Sequence, residues 1–262
     1  MKRREPERTP LLTARGIVNR FGKEEVHAGI SLDVLRGEIL GIAGGSGSGK
    51  SVLLKTLVGL RRPTKGTVLL NGQAIESIGH AERAALIGVL FQQGALFSSL
   101  SVAQNVMLPL REHTDLTVPD QERIAAMKLE LAGMPSEVGL KYPAELSGGM
   151  IKRAAFARAL ALDPQILFLD EPTSDLDPLT AGGIDAMIRT LNEGLGVTVV
   201  VVTHDLTTLF TLCDRVAILV DRKLVVDTLP RLMRSDDPWI HEFLHGPRAA
   251  GAQAARRTPH GN

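Results

Sequence analysis

The chain has 262 residues, of which 44% are hydrophobic and 23% charged, and its formal net charge at pH 7 is +1. A balanced charge and an aromatic content of 3% argue against a broad nucleic-acid surface, which needs excess positive charge or aromatic side chains for base stacking. The single cysteine, Cys213, excludes an internal disulfide, and no apolar run reaches the ~18–20 residues needed to cross a bilayer.

The N-terminal half opens with charge and proline and then follows a strand pattern. Residues 1–10 are predicted to form a disordered tail ahead of one domain over 11–245. Residues 11–95 read mainly as strands around one helix. Asn71-Gly72 between two apolar segments predicts a tight hairpin, because this dipeptide favours the type I′ turn.

A glycine-rich run in this half is the most specific signal in the chain. It matches the phosphate-binding P-loop pattern and stands between a strand-like apolar run, 39–43, and a helix-like one, 52–60. Its residues are Gly44, Gly45, Ser46, Gly47, Ser48, Gly49, Lys50 and Ser51, followed by Val52. We expect the backbone to cradle nucleotide phosphates, Lys50 to reach the β- and γ-phosphates and the Ser51 hydroxyl to bind Mg²⁺. A flexible glycine/serine linker is the alternative, but linkers lack flanking apolar runs.

The middle of the chain, 98–162, has a helical pattern and a second possible anion site. Ser147 is placed to cap a helix, and Gly148 and Gly149 follow it. Such a helix start can bind an anion, or it can be only a cap. One nucleotide does not need two anion sites from one chain, whereas two chains facing head to tail would use both.

The remainder alternates buried strands with helices. The apolar runs 166–169 and 197–202 predict parallel strands that are buried on both faces. Asp170 and Glu171 end the first run, where Asp170 could hold Mg²⁺ and Glu171 could orient an attacking water. A charged turn is the alternative for this pair, and a structural histidine is the alternative for His204, which follows the second run. Residues 246–262 are predicted to form a flexible tail.

Together these motifs resemble the nucleotide-binding subunits of ABC transporters over residues 11–245. In that resemblance 44–51 is the Walker A loop, 146–149 the signature segment, Asp170-Glu171 the end of Walker B, 174–177 the D-loop and His204 the H-loop histidine. The fold it implies is an α/β P-loop NTPase core with an antiparallel β subdomain and an inserted α-helical subdomain at about 98–162.

The resemblance also implies roles for single side chains. Phe21 would stack on adenine, with a core phenylalanine as the alternative. Gln92 would contact Mg²⁺ and sense a transmembrane partner, although Gln93 is adjacent. Asp177 of the D-loop is assigned to the nucleotide. His204 would contact the γ-phosphate and, with the catalytic Glu171, hold the water in line.

Within this family, the chain is similar to the ATPases of Mla-type phospholipid transporters. The segments 92–97, 105–106, 109–114 and 146–153 carry this likeness, including Met150 where most ABC proteins have glutamine. The resemblance implies an ATP- and Mg²⁺-dependent homodimer on the cytoplasmic face of a bacterial inner membrane, powering phospholipid transport between inner and outer membranes. Its partners would be a permease (MlaE-like), an MCE-domain protein (MlaD-like) and a STAS-domain protein (MlaB-like).

Two other functions are compatible with the motifs. One is an ABC importer or exporter ATPase for another substrate. The other is a non-transport ABC ATPase, which usually carries a long coiled-coil insertion or a second cassette. The sole tryptophan, Trp239, lies in an apolar stripe that is either a docking surface for a partner or packing on its own domain.

Overall fold

A computed structural model describes residues 9–246, 249 and 251–253. Its helices and strands follow the chain in this order: β1 (Pro10–Phe21), β2 (Glu24–Leu35), β3 (Ile39–Gly44), α1 (Lys50–Leu57), β4 (Lys65–Leu70), β5 (Gln73–Ala74), α2 (His80–Leu86), β6 (Ile87–Leu90), α3 (Val102–His113), α4 (Val118–Leu131), α5 (Gly148–Ala159), β7 (Ile166–Asp170), α6 (Pro178–Leu195), β8 (Thr198–Val202), α7 (Leu206–Leu212), β9 (Arg215–Val220), β10 (Lys223–Asp227), α8 (Leu229–Leu232) and α9 (Pro238–His245).

The first sheet is antiparallel, with strand order β2-β1-β4-β5. The predicted hairpin is confirmed: Leu70 pairs with Gln73 across Asn71 and Gly72, whose φ angles are 51° and 81°. Positive φ at both turn residues is the type I′ geometry, which asparagine and glycine tolerate best.

The second sheet is mainly parallel, with order β10-β9-β3-β8-β7-β6, and only β10 runs antiparallel to its neighbour. Every residue of β3, β7 and β8 is buried, as predicted for strands covered on both faces. The carboxyl ends of β3, β6, β7 and β8 lie at one edge of this sheet, and the segments that follow them carry the candidate site residues. This edge is where open α/β sheets bind ligands.

Apolar side chains cover both faces of the parallel sheet. One core lies between the two sheets and contains Leu53, Leu54 and Leu57 of α1. A second core packs α5 and α6 on the opposite face, where Phe156 and Ile188 contribute. These packed layers confirm the predicted α/β architecture.

Helices α3, α4 and α5 lie between β6 and β7 in the chain and have a core of their own. Ser101 caps α3 and forms a reciprocal capping box with Gln104. Lys128, 2% exposed, pairs with Asp163 and ties α4 to the turn before β7. Within the described ranges no helix is long and apolar enough to cross a membrane.

The predicted tails fall mostly outside the described residues. Residues 1–8 are outside, and Pro10 already opens β1. Of the predicted flexible segment 246–262, residues 249 and 251–253 are helical, and Ala249 and Ala252 are 0% and 4% exposed against the α9 cluster. This part of the segment therefore packs on the domain, because its small apolar side chains have a buried surface to cover.

Candidate active site

A cavity of ≈ 990 Å³ opens at the carboxyl edge of the parallel sheet. The P-loop, Gln92, Glu171 and His204 line it, together with residues of α9. Its lining residues are Gly44, Gly45, Ser46, Gly47, Gly49, Lys50, Ser51, Val52, Gln92, Glu171, His204, Leu206, Trp239, Glu242, Phe243 and Gly246. Residues from distant parts of the chain thus meet where the sequence predicts phosphate binding.

Glycine is required in the P-loop for close packing as well as for backbone conformation. Gly49 has φ 98°, and a Cβ there would lie 2.4 Å from Val26 Cγ1 and 2.8 Å from His27 Nε2. At Gly44 a Cβ would lie 2.7 Å from the Leu219 carbonyl oxygen. Any side chain at either position would push the loop away from the strands that support it.

Lys50 lies at the centre of the loop. Its Nζ donates hydrogen bonds to the carbonyl oxygens of Gly44 at 2.9 Å and Gly45 at 3.0 Å. Burial lowers the pKa of Lys50, and the carboxylates of Glu171 and Asp170 oppose that shift. The ammonium group is therefore held near the start of α1, where backbone N–H groups also favour an anion.

The residues at Asp170 fit a divalent cation. Asp170 is 6% exposed, and its Oδ1 has no hydrogen-bond partner in the part of the chain that the structure describes. Burial raises the pKa of its carboxyl, and a hydrogen bond with the Ser51 hydroxyl partly offsets the rise. A buried carboxylate oxygen without a partner next to a hydroxyl is a donor set that Mg²⁺ prefers.

Glu171 and His204 form a hydrogen-bonded pair that faces the cavity. His204 Nδ1 lies 2.8 Å from Glu171 Oε1, and the Thr203 hydroxyl donates to Oε2 at 3.4 Å. The Glu171 side chain is 11% exposed, while that of His204 is 67% exposed. When Nδ1 carries a proton it donates to the carboxylate, which leaves Nε2 of the exposed ring facing outwards.

Gln92 lines the cavity, whereas its neighbour Gln93 is not among the described lining residues. Gln92 lies two residues beyond the end of β6 at Leu90, and its carbonyl oxygen accepts a hydrogen bond from Lys152 of α5. This placement favours Gln92 over Gln93 as the glutamine that contacts a bound ligand.

The signature segment and the D-loop lie next to each other and outside the described lining of this cavity. Ser147 caps α5 by accepting from the Met150 N–H at 3.3 Å, as predicted. A Cβ on Gly149 would lie 2.7 Å from Thr180 Cγ2 of α6. Asp177 caps α6, and hydrogen bonds from Thr180 lower its carboxyl pKa. In one chain, the signature segment and the D-loop therefore belong to a different surface from the P-loop.

Phe21 ends β1 and is 48% exposed. It is not buried in the core, and the Arg61 guanidinium carbon lies 3.9 Å from its ring centroid. Within the described chain it does not line the P-loop cavity. Its stacking on adenine stays a prediction.

Helix α9 supplies a wall of the cavity that sequence reasoning did not predict. Trp239 stacks on Phe243 with ring centroids 5.0 Å apart, and a Cβ on Gly45 would lie 3.6 Å from Trp239 Cζ2. Ile240 and Leu244 are fully buried, and Trp239 and Phe243 pack against the same apolar cluster. Trp239 therefore packs on its own domain. The sequence predicts an apolar stripe around Trp239, but it does not predict which surface this stripe contacts.

The chain is similar to known proteins in both sequence and fold. The family model described as "ABC transporter" matches residues 27–174. A solved structure, the ATP-binding cassette MJ0796 as a post-hydrolysis dimer bound to ADP and Pi, is similar with a TM-score of 0.77 and 31% identity. The similarity covers 83% of this chain and 98% of the MJ0796 chain.

Two curated relatives are equally similar in sequence. The "Intermembrane phospholipid transport system ATP-binding protein MlaF" of Escherichia coli strain K12 is 40% identical over 240 residues, covering 90% of this chain and 89% of that protein. The "Probable ribonucleotide transport ATP-binding protein mkl" of Mycobacterium leprae is 40% identical over 242 residues, covering 90% of this chain and 69% of that protein.

Proposed function

Because the chain belongs to the ABC transporter family, an ATP-binding and ATP-hydrolysing family, we propose that it is the ATPase subunit of a transporter that moves phospholipid. The likeness to the phospholipid transport protein, at 40% identity over nearly the whole of both chains, carries this proposal. The motif segments at 92–97 and 146–153 support the same assignment.

The site supports hydrolysis by positioning and charge. The P-loop amides and Lys50 would hold the β- and γ-phosphates, since both face the cavity at the start of α1. Glu171 would orient and polarise the attacking water, and His204 would hold Glu171 through the Nδ1 contact while its other nitrogen faces the γ-phosphate. Phosphoryl transfer needs little more from a protein than such placement.

Ser51, Asp170 and Gln92 are the residues that would hold Mg²⁺. The partnerless Asp170 oxygen and the neighbouring hydroxyl support this assignment. The ion would neutralise negative charge on the phosphates. In its presence Asp170 stays ionised despite its burial, because a bound cation stabilises the carboxylate.

We place the complete site between two copies of the chain. The P-loop of one copy would bind ATP together with Ser147, Gly148 and Gly149 of the other, since these groups lie outside the P-loop cavity of their own chain. The dimeric cassette to which the chain is similar supports this arrangement. Binding of ATP would close the dimer, and hydrolysis would reopen it.

The remaining partners follow from the same likeness. They would be a permease, an MCE-domain protein and a STAS-domain protein, and the complex would sit at the cytoplasmic face of a bacterial inner membrane. The permease would convert closure and opening into lipid movement. The equally similar ribonucleotide transport protein supports a second candidate, an ABC ATPase for another substrate, although this chain spans less of that protein.

Purification of the whole complex separates the two candidates. The full chain is co-expressed with the products of its neighbouring genes, purified, and examined by mass spectrometry for bound lipid and by ATPase assay in vesicles. We expect an MCE-domain partner, co-purified phospholipid, and ATP turnover that is lost in the Glu171→Gln complex. Turnover that is stimulated by ribonucleotide and unaccompanied by bound phospholipid would overturn the phospholipid assignment.

A further inference from the structure

Lys152 is a buried ammonium group that joins three segments of the site. It lies on α5 and is 7% exposed. Its Nζ donates to the carbonyl oxygen of Gln92, to that of Glu171 at 3.0 Å, and to the Ser174 hydroxyl at 3.3 Å. An ammonium group has three N–H donors, so these three acceptors use all of them.

The contact with Glu171 matters because the backbone there is strained. Glu171 has φ 49°, a left-handed conformation that residues other than glycine rarely adopt. Strain of this kind persists only where several contacts enforce it. The Glu171 N–H donates to the Val202 carbonyl at 2.8 Å, and the Glu171 carbonyl accepts from Lys152 and from the Ser174 hydroxyl at 3.0 Å. This conformation directs the carboxylate to His204.

A purely structural role explains the lysine poorly. Its direct acceptors are neutral oxygens, and burial lowers the pKa of Lys152, with the carboxylates of Asp175, Glu171 and Asp170 opposing the shift. Burying an ammonium group costs free energy, which only its hydrogen bonds offset. The hydrogen bonds of Lys152 are thus better explained by the segments that they hold in place, those of Gln92, Glu171 and Ser174.

We propose that Lys152 is a positioning residue that fixes the Glu171 backbone and the Gln92 carbonyl to α5, and so links the signature segment to the catalytic carboxylate of the same chain. The inference rests on the proposed role of Glu171. Helix α5 begins directly after Ser147, so the anion-binding end and Lys152 belong to one rigid element. In the proposed dimer the start of α5 would contact the ATP bound to the partner copy, whereas Lys152 supports the site of its own chain. Lys152 would therefore connect the two ATP sites.

The test replaces Lys152 in the full-length chain with methionine, which keeps the length of the side chain and removes its donors. We expect kcat to fall about 10- to 100-fold, because a misplaced carboxylate aligns the water poorly. The dissociation constant for ATP, which depends on the P-loop, should change less than about 3-fold. In the Glu171→Gln background the same change should lower residual turnover by less than about 2-fold, because two residues that act together are not additive.

Lys128→Met is the matched control, since Lys128 is equally buried but pairs with Asp163 away from the cavity. It should lower the melting temperature and leave kcat within about 2-fold of wild type. If Lys152→Met does not fold, Lys152→Gln carries the test, because its amide keeps two donors; a smaller fall in kcat at unchanged ATP affinity is expected.

Two results would overturn the inference. One is a folded Lys152 variant with wild-type kcat. The other is a Lys152→Met substitution that lowers kcat by the same factor in the wild-type and Glu171→Gln chains. Failure of the proposed function has a different result. If Glu171→Gln alone hydrolyses ATP at the wild-type rate, the role of Glu171 is wrong whatever the Lys152 variants do.

Discussion

Glu171 is held by hydrogen bonds at both its backbone and its carboxylate. At the scale of a single residue, replacing this carboxylate is the most specific test of the proposed hydrolysis. Glu171→Gln keeps the shape of the side chain and loses the charge that polarises water. We expect turnover to fall about 10²- to 10⁴-fold while ATP affinity stays near wild type, because the P-loop is unchanged. Phosphate release and equilibrium binding of ATP measure the two quantities.

Lys50→Ala is the complementary control for that variant. It removes the ammonium that donates to the Gly44 and Gly45 carbonyls and faces the cavity. ATP affinity should fall about 10- to 100-fold, the usual effect of losing a charged hydrogen bond. Near-normal hydrolysis by Glu171→Gln, or unchanged binding by Lys50→Ala, would contradict these roles.

At the scale of the element, the packing of α6 against α7 contains an acid that destabilises the fold at neutral pH. Burial raises the pKa of Asp185 to about 7, with a hydrogen bond from Thr208 opposing the rise and Asp205 adding to it. Its Oδ1 has no partner among the described residues. The folded state therefore keeps this proton while the unfolded state loses it, so stability falls as pH rises from about 4 to about 7.

Asp185→Asn should abolish that loss. Between pH 5 and pH 8 the free energy of unfolding of the wild-type chain should fall by about 2–3 kcal/mol because of this group alone. The variant should be more stable than wild type at pH 8, with a smaller difference at pH 5, in urea unfolding. Asp115→Asn, at an exposed position, is the control. Parallel pH profiles for Asp185→Asn and wild type would refute the assignment.

Helix α9 offers a direct report on the nucleotide cavity. Trp239 is the only tryptophan, and it lies beside Gly45 in the P-loop wall. Its fluorescence should change with ATP along the same saturation curve as binding measured by calorimetry, because ATP in this cavity would alter the surroundings of the indole ring that lines it. Lys50→Ala should shift the change to an ATP concentration about 10- to 100-fold higher. Unaltered emission during calorimetrically observed binding would show that α9 does not sense the site.

The sequence predicts some elements better than others. The difference lies in whether the contacts that determine an element join residues that are near or far apart in the chain. The Asn71-Gly72 hairpin and the Ser147 cap depend on neighbouring residues, so local chemistry predicts both correctly. The contact of Lys152 with Gln92 joins positions 60 apart in the chain. That contact, like the packing of Trp239 beside the P-loop, depends on how elements distant in the chain pack together, so local sequence does not predict it.

At the scale of the whole molecule, the main result is that the P-loop cavity and the signature segment lie apart within one chain. The P-loop cavity holds Lys50, Glu171 and His204, while the signature segment packs beside the D-loop on a separate surface. The sequence motifs predict both surfaces and a head-to-tail pair that uses them. The structure adds that the two surfaces lie apart within one chain. A head-to-tail pair would join them into two equivalent sites, an arrangement in which each copy completes the other.

The particle mass of Glu171→Gln in ATP and Mg²⁺, measured by light scattering, tests this arrangement most directly. The variant should bind ATP and hydrolyse it only very slowly, so the closed pair should accumulate. We predict twice the mass of the 28.1 kDa chain, and the single-chain mass when Ser147→Arg is added, although that double variant still binds ATP. A single-chain mass for ATP-bound Glu171→Gln, or an undiminished dimer in the double variant, would contradict a site shared between two copies.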